Sequence, residues 1–367
     1  QCRVGFLFIL KYLKLRSKKK EIIFSSYNLP EMVNVAVKLN FKIIFCDIDY
    51  NTGTINKKEL NKKITKNTSA IVLTNMFNNY HIGQEIKKLA SNKKITLIED
   101  NAIYFDNFTK KKNKKIYAGF LGDYSIYSFN IMKNISSFYG GAITTNNKDF
   151  VEFYRKEYEK LKKFSVAAAL KQIFIYFILK VMSLKFLYKI LFIHIIRYAH
   201  LNNIKRILKI FYPSLTSIKV NLPKYYFTRM SELSKTLTYL QLKDIKRRKK
   251  LFNLRKIKHN YYVKKLSKIR SNNISFIRQD DKNYQNFLDL PLLVKNKDSF
   301  NKYLLKNGIE TRYKHYYNCE RLFKKSSRSI NAKKYENELI CLPLHERVTF
   351  SYIDYVVKNI ERYIKAN

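Results

Sequence analysis

The sequence predicts an α/β protein with a mainly parallel sheet, followed by a smaller α+β domain. Short apolar segments such as Phe41 to Asp47, Ala70 to Asn75 and Ile95 to Asp100 alternate with segments of helical periodicity. Strands that are apolar almost throughout are typical of parallel sheets covered by helices on both faces. From Ile274 onward, strands and helices follow in a mixed order, which predicts a second architecture.

The first part of the chain supplies the elements of the parallel sheet. Phe6 to Leu15 has helical periodicity and ends in a basic run, and Pro30 is typical of the start of a helix. The predicted elements, in chain order, are helix Phe6 to Leu15, strand Glu21 to Ser25, helix Pro30 to Leu39, strand Phe41 to Asp47, helix Asn56 to Ile64, strand Ala70 to Asn75, helix Gly83 to Ser91, strand Ile95 to Asp100, strand Tyr124 to Phe129, strand Ala142 to Thr145 and helix Lys148 to Lys163.

The second part begins with a long basic helix, predicted over Arg229 to Leu266. This helix connects the two parts of the chain. The elements predicted after it are strand Phe287 to Val294, helix Ser299 to Asn307, strand Ile309 to Tyr313, strand Leu339 to Leu344 and helix Phe350 to Ile364. A chain of 367 residues is long enough for two cores. We expect a large domain over residues 1–228 and a small domain over residues 229–367.

A segment within the large domain, residues 167–213, does not fit the alternating pattern. It is rich in Ile, Leu, Phe and Tyr but contains spaced basic residues, among them Lys171, Lys180 and Arg197. No window approaches 18 uncharged apolar residues, so we expect no membrane-spanning helix. The pattern fits a helical insertion that lies in a membrane interface, and it fits equally one that packs on its own protein or on a partner subunit.

The composition is strongly basic, with a formal net charge of +46. Lys, Ile, Asn, Tyr and Phe are abundant together, Gly and Pro are scarce, and Trp is absent. The lysines are spread over nearly every segment, which favours a bias of the whole composition over a selected anion-binding surface. Charge alone indicates no nucleic-acid partner, because no recognition motif accompanies it. Lys110 to Lys115 is predicted to be an exposed, mobile loop.

Cysteine and histidine usage indicates the compartment and argues against a metal site. Cys2, Cys46, Cys319 and Cys341 form no CxxC pair, which suits a reducing compartment and a cytoplasmic protein. The histidines are isolated, so we expect no metal. The chain begins at Gln1, and we expect further residues upstream of it; Phe6 to Leu10 is too short for a signal peptide.

The stretch Ile95 to Thr145 carries the candidate chemistry. A buried strand ends in Asp100, the next strand ends near Ser128, and Lys133 follows shortly after. Because ligands of parallel sheets bind at the carboxyl ends of the strands, an acid, a hydroxyl and a lysine are predicted to meet there.

Several motifs in this order resemble the sugar aminotransferases of the DegT/DnrJ/EryC1/StrS family, which are fold-type I pyridoxal phosphate (PLP) enzymes. The residues that carry the resemblance are Ile98 to Ala102, Gly122-Asp123, Ser128-Phe129 with Lys133-Asn134, Gly140 to Thr145, Phe45 to Asp49 with Thr54-Ile55, Arg229 to Leu233, Gln241-Leu242, Gly308 to Arg312 and Cys341 to His345. They cover nearly the whole chain except the segment from Ala167 to Pro213. The resemblance implies an aspartate aminotransferase-like large domain.

The resemblance implies a role for each matching residue. Lys133 would hold PLP through its amine and move protons, Asp100 would keep the pyridine nitrogen protonated, and Ser128 would donate its hydroxyl to the cofactor phosphate. Backbone amides near Arg3 and Val4, at the start of the first helix, would bind the same phosphate. His315 and Tyr316 are candidates for the sugar pocket, with ordinary surface positions as the alternative.

The chain departs from the family pattern at three positions of the cofactor site. The Gln or His that contacts the ring hydroxyl is Ile103 here. The aromatic that stacks on the ring aligns near Leu29, where Tyr27 is the nearest substitute. The Asn that reaches the neighbouring subunit's phosphate falls at Phe227. These departures weaken cofactor binding without affecting the proton chemistry.

The resemblance implies a PLP-dependent aminotransferase that converts a nucleotide-linked keto-sugar into an amino sugar for surface polysaccharide or lipopolysaccharide, with glutamate as donor. It also implies a homodimer. Family members that replace the lysine with His are dehydratases, so Lys133 favours transamination. The alternative is a catalytically weakened, membrane-associated scaffold or binding protein of the same fold, in contact with the inner face of the membrane through residues 167–213.

Overall fold

A computed structural model describes residues 2–76, 82–106, 108–111, 114–130, 133–204, 206–208, 222, 224–277, 283–284, 287–314 and 316–366. A six-stranded sheet organises the first part of the chain, in the order β3-β1-β4-β5-β8-β9. Its strands are β1 Glu21–Ser25, β3 Lys42–Cys46, β4 Thr68–Thr74, β5 Thr96–Asp100, β8 Tyr124–Ser128 and β9 Gly141–Thr145. All neighbours pair in parallel except β8 and β9, so the prediction of a mainly parallel sheet is confirmed.

Helices cover both faces of this sheet, as its apolar strands require. Every residue of β1 and β4 is buried. The helices of this part are α1 Cys2–Arg16, α2 Pro30–Lys38, α3 Lys57–Lys63, α4 Gly83–Asn92 and α5 Lys148–Glu159. One core packs α1, α2 and α5 against the sheet, and a second core contains Leu60 and Ile86 of α3 and α4. Burial of strands on both faces favours the parallel arrangement.

After α5 the chain forms a group of helices within the range predicted as a helical insertion, residues 167–213, of which residues 205 and 209–213 lie outside the described residues. They are α6 Val166–Met182, α7 Lys185–Leu187, a π-helical turn Tyr188–Phe192 and α8 Ile193–Leu201. We call residues 166–201 the apolar insertion. Among the described residues, no single helix is long and apolar enough to cross a membrane. Helix α6 and the segment Lys185–Leu201 reach that length and apolar composition only when taken together, and they are bent by 69° relative to each other.

The C-terminal part has its own sheet and its own core. The sheet is antiparallel, in the order β10-β12-β15-β13, with β10 Ile274–Phe276, β12 Leu290–Val294, β13 Arg312–Tyr313 and β15 Leu339–Leu342. The helices are α9 Glu232–Lys243, α10 Ile245–Leu266, α11 Lys297–Lys306, α12 Cys319–Lys324, α13 Ile330–Glu338 and α14 Phe350–Lys365. Its core joins α10, α11 and α14 to β12 and β15.

Short strands join these two parts or lie outside the two main sheets. β2 Tyr27–Asn28 pairs with β14 Tyr317–Asn318. A hairpin of β6 Phe108–Lys111 and β7 Lys114–Tyr117 pairs with β11 Asn283–Tyr284.

Three expectations about elements were wrong. The long helix predicted over Arg229 to Leu266 is two helices that meet at Asp244, because the Asp244 carboxylate accepts a hydrogen bond from the Arg247 backbone N–H at 3.0 Å and starts a new helix. In the run predicted as a loop over Lys110 to Lys115, residues 110–111 belong to β6 and residues 114–115 to β7, which pair by backbone hydrogen bonds, and residues 112–113 lie outside the described residues. The strand predicted over Ile309 to Tyr313 is confined to β13.

The start of α1 lies against the start of β9. A Cβ atom at Gly141 would lie 2.6 Å from the Cys2 backbone nitrogen and 2.6 Å from the Tyr127 carbonyl oxygen. Because these neighbours are backbone atoms, α1 or β8 would have to move to make room for a Cβ atom. Only glycine fits at this position without such a shift. Gly141 therefore fixes the distance between the first turn of α1 and the end of β8.

We predict that Gly141→Ala lowers the free energy of unfolding by about 3 kcal/mol, because α1 must move away from the sheet. Urea unfolding measures the change. Gly308→Asn is the control: Gly308 has φ of +70° with no atom within 4 Å of an added Cβ, and asparagine tolerates that conformation at a cost below about 1 kcal/mol. Equal losses in both variants would contradict the close approach.

Candidate active site

Strand β5 ends in two neighbouring buried carboxylates that make very different contacts. Glu99 is fully buried and accepts hydrogen bonds from the backbone N–H groups of Gly119, Leu121 and Gly122, and from the Asn101 side chain. It holds the loop before β8 in place. A carboxylate with this many donors is satisfied, so Glu99 is a structural residue; it lies in the motif Ile98 to Ala102, but no role was predicted for it.

Asp100 accepts far fewer hydrogen bonds than Glu99. Its carboxylate accepts the Ala102 backbone N–H at 3.0 Å, and this is the one hydrogen bond to it among the described residues. Burial raises the pKa of Asp100, while the Ala102 N–H and the charge of Lys133 oppose the rise. A buried carboxylate with one donor is stabilised by a cationic partner.

Lys133 lies in the loop between β8 and β9, and its amine is buried. Burial and, next to it, the charge of Arg312 lower the pKa of Lys133 to about 8, although the charges of Asp289, Asp100 and Cys2 oppose the decrease. An amine with this pKa is partly neutral at physiological pH, and the neutral amine is the nucleophile. The charges of Lys133 and Asp100 act on each other's pKa, so the two side chains lie near each other.

Helix α9 and helix α10 hold the Lys133 loop. The Gln241 amide forms two hydrogen bonds with the Ser136 backbone, at 3.1 and 2.7 Å, and the Thr238 hydroxyl lies 2.8 Å from the Ser137 hydroxyl. Further along, Arg255 bonds to the Asn134 side chain, directly after Lys133. Gln241 belongs to a sequence motif, but its contact with this loop required the structure.

The first turn of α1 lies at the same edge of the sheet. Ser128, at the end of β8, pairs with Gly141, which adjoins Cys2. Burial raises the pKa of the Cys2 thiol, and the charges of Asp100 and Lys133 also act on it. The backbone of the first described turn of α1 therefore lies beside the site.

The two residues singled out in that first turn contribute through their backbone. The Arg3 guanidinium forms an ion pair with the buried Glu31 of α2. The Val4 side chain is buried in the core under the sheet. Their side chains are thus engaged in the fold, which leaves the backbone N–H groups as the groups that fit a phosphate.

A half-buried ion pair at the small sheet lies near Lys133, and no role was predicted for it from the sequence. Arg312 forms an ion pair with Asp289, and its Nε atom is buried without a hydrogen-bond partner among the described residues. Arg312 also lines a small pocket with Tyr27, Tyr313, Tyr316 and Cys341. The Gly308 to Arg312 motif was the available signal.

Tyr27 and Tyr316 lie together, with ring centroids 5.9 Å apart. Both rings are buried, and burial raises the pKa of both hydroxyls. For Tyr316, this burial argues against an ordinary surface position. His315 lies outside the described residues.

The three departures from the family pattern fall in two places. Leu29 and Ile103 are half-buried and pack on the apolar cluster that contains Tyr27 and Tyr316. Ile103 thus packs where the family pattern has a polar side chain, and Leu29 packs where it has an aromatic. Phe227 lies apart, exposed at the end of the 3₁₀ helix Lys224–Phe227.

The groups gathered here can be compared with the chemistry of PLP, a small anionic aromatic aldehyde. A helix N-terminus suits a phosphate, a buried carboxylate suits a protonated ring nitrogen, and a buried amine of lowered pKa suits a carbonyl carbon. Among the described residues, no group of three or more His, Cys, Asp and Glu side chains could hold a metal ion. The donor set fits PLP.

Comparison with known proteins agrees with this arrangement. The model of the DegT/DnrJ/EryC1/StrS aminotransferase family matches residues 2–174 and 223–361. The chain belongs to this family. Members of the family use PLP. Residues 175–222, which include most of the apolar insertion, lie outside the match.

Relatives and solved structures show the same relationship. A UDP-4-amino-4,6-dideoxy-N-acetyl-beta-L-altrosamine transaminase of Campylobacter jejuni is 32% identical over 39% of this chain and 37% of its own length. The Helicobacter pylori aminotransferase PseC shares the fold with a TM-score of 0.73 at 16% identity, over 100% of this chain and 86% of its own.

The Escherichia coli GDP-4-keto-6-deoxy-D-mannose-3-dehydratase, solved with bound hydrated PLP, has a TM-score of 0.69 at 18% identity. It covers 98% of this chain and 85% of its own. Transaminases and a dehydratase thus share one fold with this chain, so the fold by itself does not choose between the two reactions.

We predict that the amine of Lys133 titrates near pH 8 in the protein without cofactor. The Lys133 ammonium group loses its proton and becomes reactive as the pH rises through about 8. An ordinary exposed lysine loses its proton only near pH 10.4. Competitive acetylation followed by mass spectrometry measures both in one sample, with the exposed Lys246 as internal control.

Asp100→Asn removes an anion that raises the pKa of Lys133, so the midpoint should move to lower pH. A Lys133 midpoint equal to that of Lys246, or an upward shift in the Asp100 variant, would contradict the described site.

Proposed function

We propose that the chain is a PLP-dependent aminotransferase that converts a nucleotide-linked keto-sugar into an amino sugar. The observation that supports this most directly is the burial of Lys133 and Asp100 beside the N-terminus of α1, at the carboxyl ends of β5 and β8. Membership of the aminotransferase family supports the same chemistry.

Each residue has a defined task in this proposal. PLP, when bound, supplies an electrophilic carbon and a conjugated ring that stabilises negative charge. Asp100 holds the proton on the ring nitrogen, and its burial strengthens that interaction. The Lys133 Nζ holds the cofactor and later takes the proton from the carbon that carries the amino group. Ser128 and the amides near Arg3 and Val4 bind the phosphate.

The aromatic and apolar residues around the site hold the cofactor ring. Tyr27 would replace the family aromatic, whose position aligns near Leu29. It lies in one apolar cluster with Leu29 and Ile103. Ile103 would contact the ring by packing instead of by a hydrogen bond. Tyr316 lines one pocket with Arg312, and together with His315, its neighbour in the sequence, it would contact the sugar.

Transamination fits this chain better than dehydration, although relatives perform both reactions. Family dehydratases carry His in place of the lysine, and Lys133 is present here. Its pKa of about 8 suits a base that must be neutral in part of the cycle.

The proposed substrates follow from the relatives. The Campylobacter transaminase is named for a UDP-linked amino sugar, and we propose a nucleotide-linked sugar for this chain, with glutamate as donor and a surface polysaccharide or lipopolysaccharide as destination. The alternative of an inactive scaffold finds no support in these relatives.

The proposed setting is a homodimer in the cytoplasm, with the apolar insertion in contact with the inner face of the membrane. All four cysteines are free and buried, which suits a reducing compartment. The homodimer follows from the family resemblance.

We predict that the purified protein with PLP shows a visible absorption band and that Lys133→Ala removes it. The band requires the lysine amine, so borohydride reduction should leave the label on the peptide that contains Lys133. Lys246→Ala is the matched control and should retain the band. Absence of a band in the unmutated protein would refute the proposed function.

The reaction type is tested by half-reactions. L-Glutamate should discharge the band, and a nucleotide-linked 4-keto-sugar should restore it while an amino sugar forms. Mass spectrometry of the product measures this step. A product that has lost water without gaining nitrogen would favour a dehydratase.

A further inference from the structure

The apolar insertion exposes an unusual amount of apolar surface. Helix α6 has no buried residue, and its Phe174 and Phe177 side chains are 62% and 61% exposed. Phe186, in α7, is 72% exposed. Exposed patches of this kind mark a surface that contacts a partner or a lipid. The family match does not extend over most of this segment.

The charge of the same region has one sign. Between Lys160 and Ser231 the sequence contains no Asp or Glu. Lys171, Lys180, Lys185 and Lys189 are exposed, and none of them forms an ion pair with any residue that the structure describes. A stretch of this length with cations alone is complementary to an anionic surface.

The insertion has defined contacts with the rest of the protein. The Tyr188 hydroxyl donates to the Glu310 carboxylate at 2.5 Å, and the Arg347 guanidinium donates to the Ser183 hydroxyl at 3.0 Å. The Tyr176 ring packs on Phe138, with centroids 4.9 Å apart. Phe138 belongs to the Lys133 loop. The exposed surface is therefore held beside the site.

We propose that the apolar insertion binds the surface of an anionic lipid bilayer. Its aromatic side chains enter the boundary between head groups and acyl chains, and its lysines contact the anionic head groups. The bent arrangement of α6 and α8 suits helices that lie in the interface. This proposal is independent of the PLP chemistry.

A lipid surface fits better than the other occupants. A second copy would bring the same lysines together, and these would repel each other in a symmetric interface. A nucleic acid would pair with the lysines but would leave the phenylalanine side chains in water. An anionic bilayer satisfies both the charge and the apolar area.

Vesicle co-sedimentation of the full chain tests the proposal, with phosphatidylcholine vesicles that contain about 30% phosphatidylglycerol compared with pure phosphatidylcholine. We expect binding to the anionic vesicles that weakens as salt rises. Neutralising Lys171, Lys180, Lys185 and Lys189 to Gln should weaken binding by roughly 600-fold, at ~5-fold per charge. Changing Phe174, Phe177 and Phe186 to Ser should weaken it at least about tenfold.

The matched control neutralises four exposed lysines of α10, namely Lys246, Lys249, Lys250 and Lys256. It should bind almost as the unmutated protein does, and circular dichroism checks the folding of every variant. Equal loss in the control would assign binding to net charge and overturn the proposal, as would the absence of vesicle binding.

The same variants distinguish the other occupants. Binding to duplex DNA but not to vesicles, lost on lysine neutralisation and kept in the phenylalanine variant, would indicate a nucleic acid. An oligomer that the phenylalanine variant dissociates, without vesicle binding, would indicate a second copy. Lys133→Ala should bind vesicles normally, which separates this inference from the proposed enzyme activity.

Discussion

The structure depends on an asymmetry between two adjacent carboxylates at the end of β5. Successive side chains of a strand point to opposite faces, so Glu99 and Asp100 face different surroundings. Glu99 meets three backbone N–H groups and an amide, which satisfy its charge. Asp100 accepts one hydrogen bond from a backbone N–H and is stabilised electrostatically by the charge of Lys133. One carboxylate fixes the loop before β8, and its neighbour remains available for chemistry.

The balance of charges at Lys133 comes from both parts of the molecule. Burial and Arg312 of the small sheet lower its pKa, and Asp100 of the large sheet opposes them. The Arg312–Asp289 ion pair thus influences the amine although it lies in a different sheet. Hydrogen bonds from Gln241 and Thr238 hold the loop so that this balance acts on a fixed position.

The surface charge has two different explanations within one chain. Most lysines are dispersed over helices that also carry acids, as a bias of composition predicts. The apolar insertion differs because its cations have no acidic neighbours in sequence and accompany exposed aromatic side chains. The insertion therefore combines a uniform positive charge with exposed apolar area, whereas the other lysines are dispersed among acids.

The sequence by itself determined the alternation of strands and helices, the mainly parallel sheet and the family, because hydrophobic periodicity and ordered motifs are local properties. It also indicated Asp100, Ser128 and Lys133, which follow strands whose ends meet. The break at Asp244 was missed, since a single capping side chain outweighed the helical periodicity.

Only the tertiary structure decided which distant residues meet. Three contacts join residues that are far apart in the chain. They are the close approach of Cys2 to Gly141, the hydrogen bond between Gln241 and Ser136, and the electrostatic effect of Arg312 on Lys133. Electrostatic shifts and close packing depend on distances in space, and a sequence pattern contains no such distances. At Asp100 and Lys133, the sequence supplied the groups and the fold supplied their chemistry.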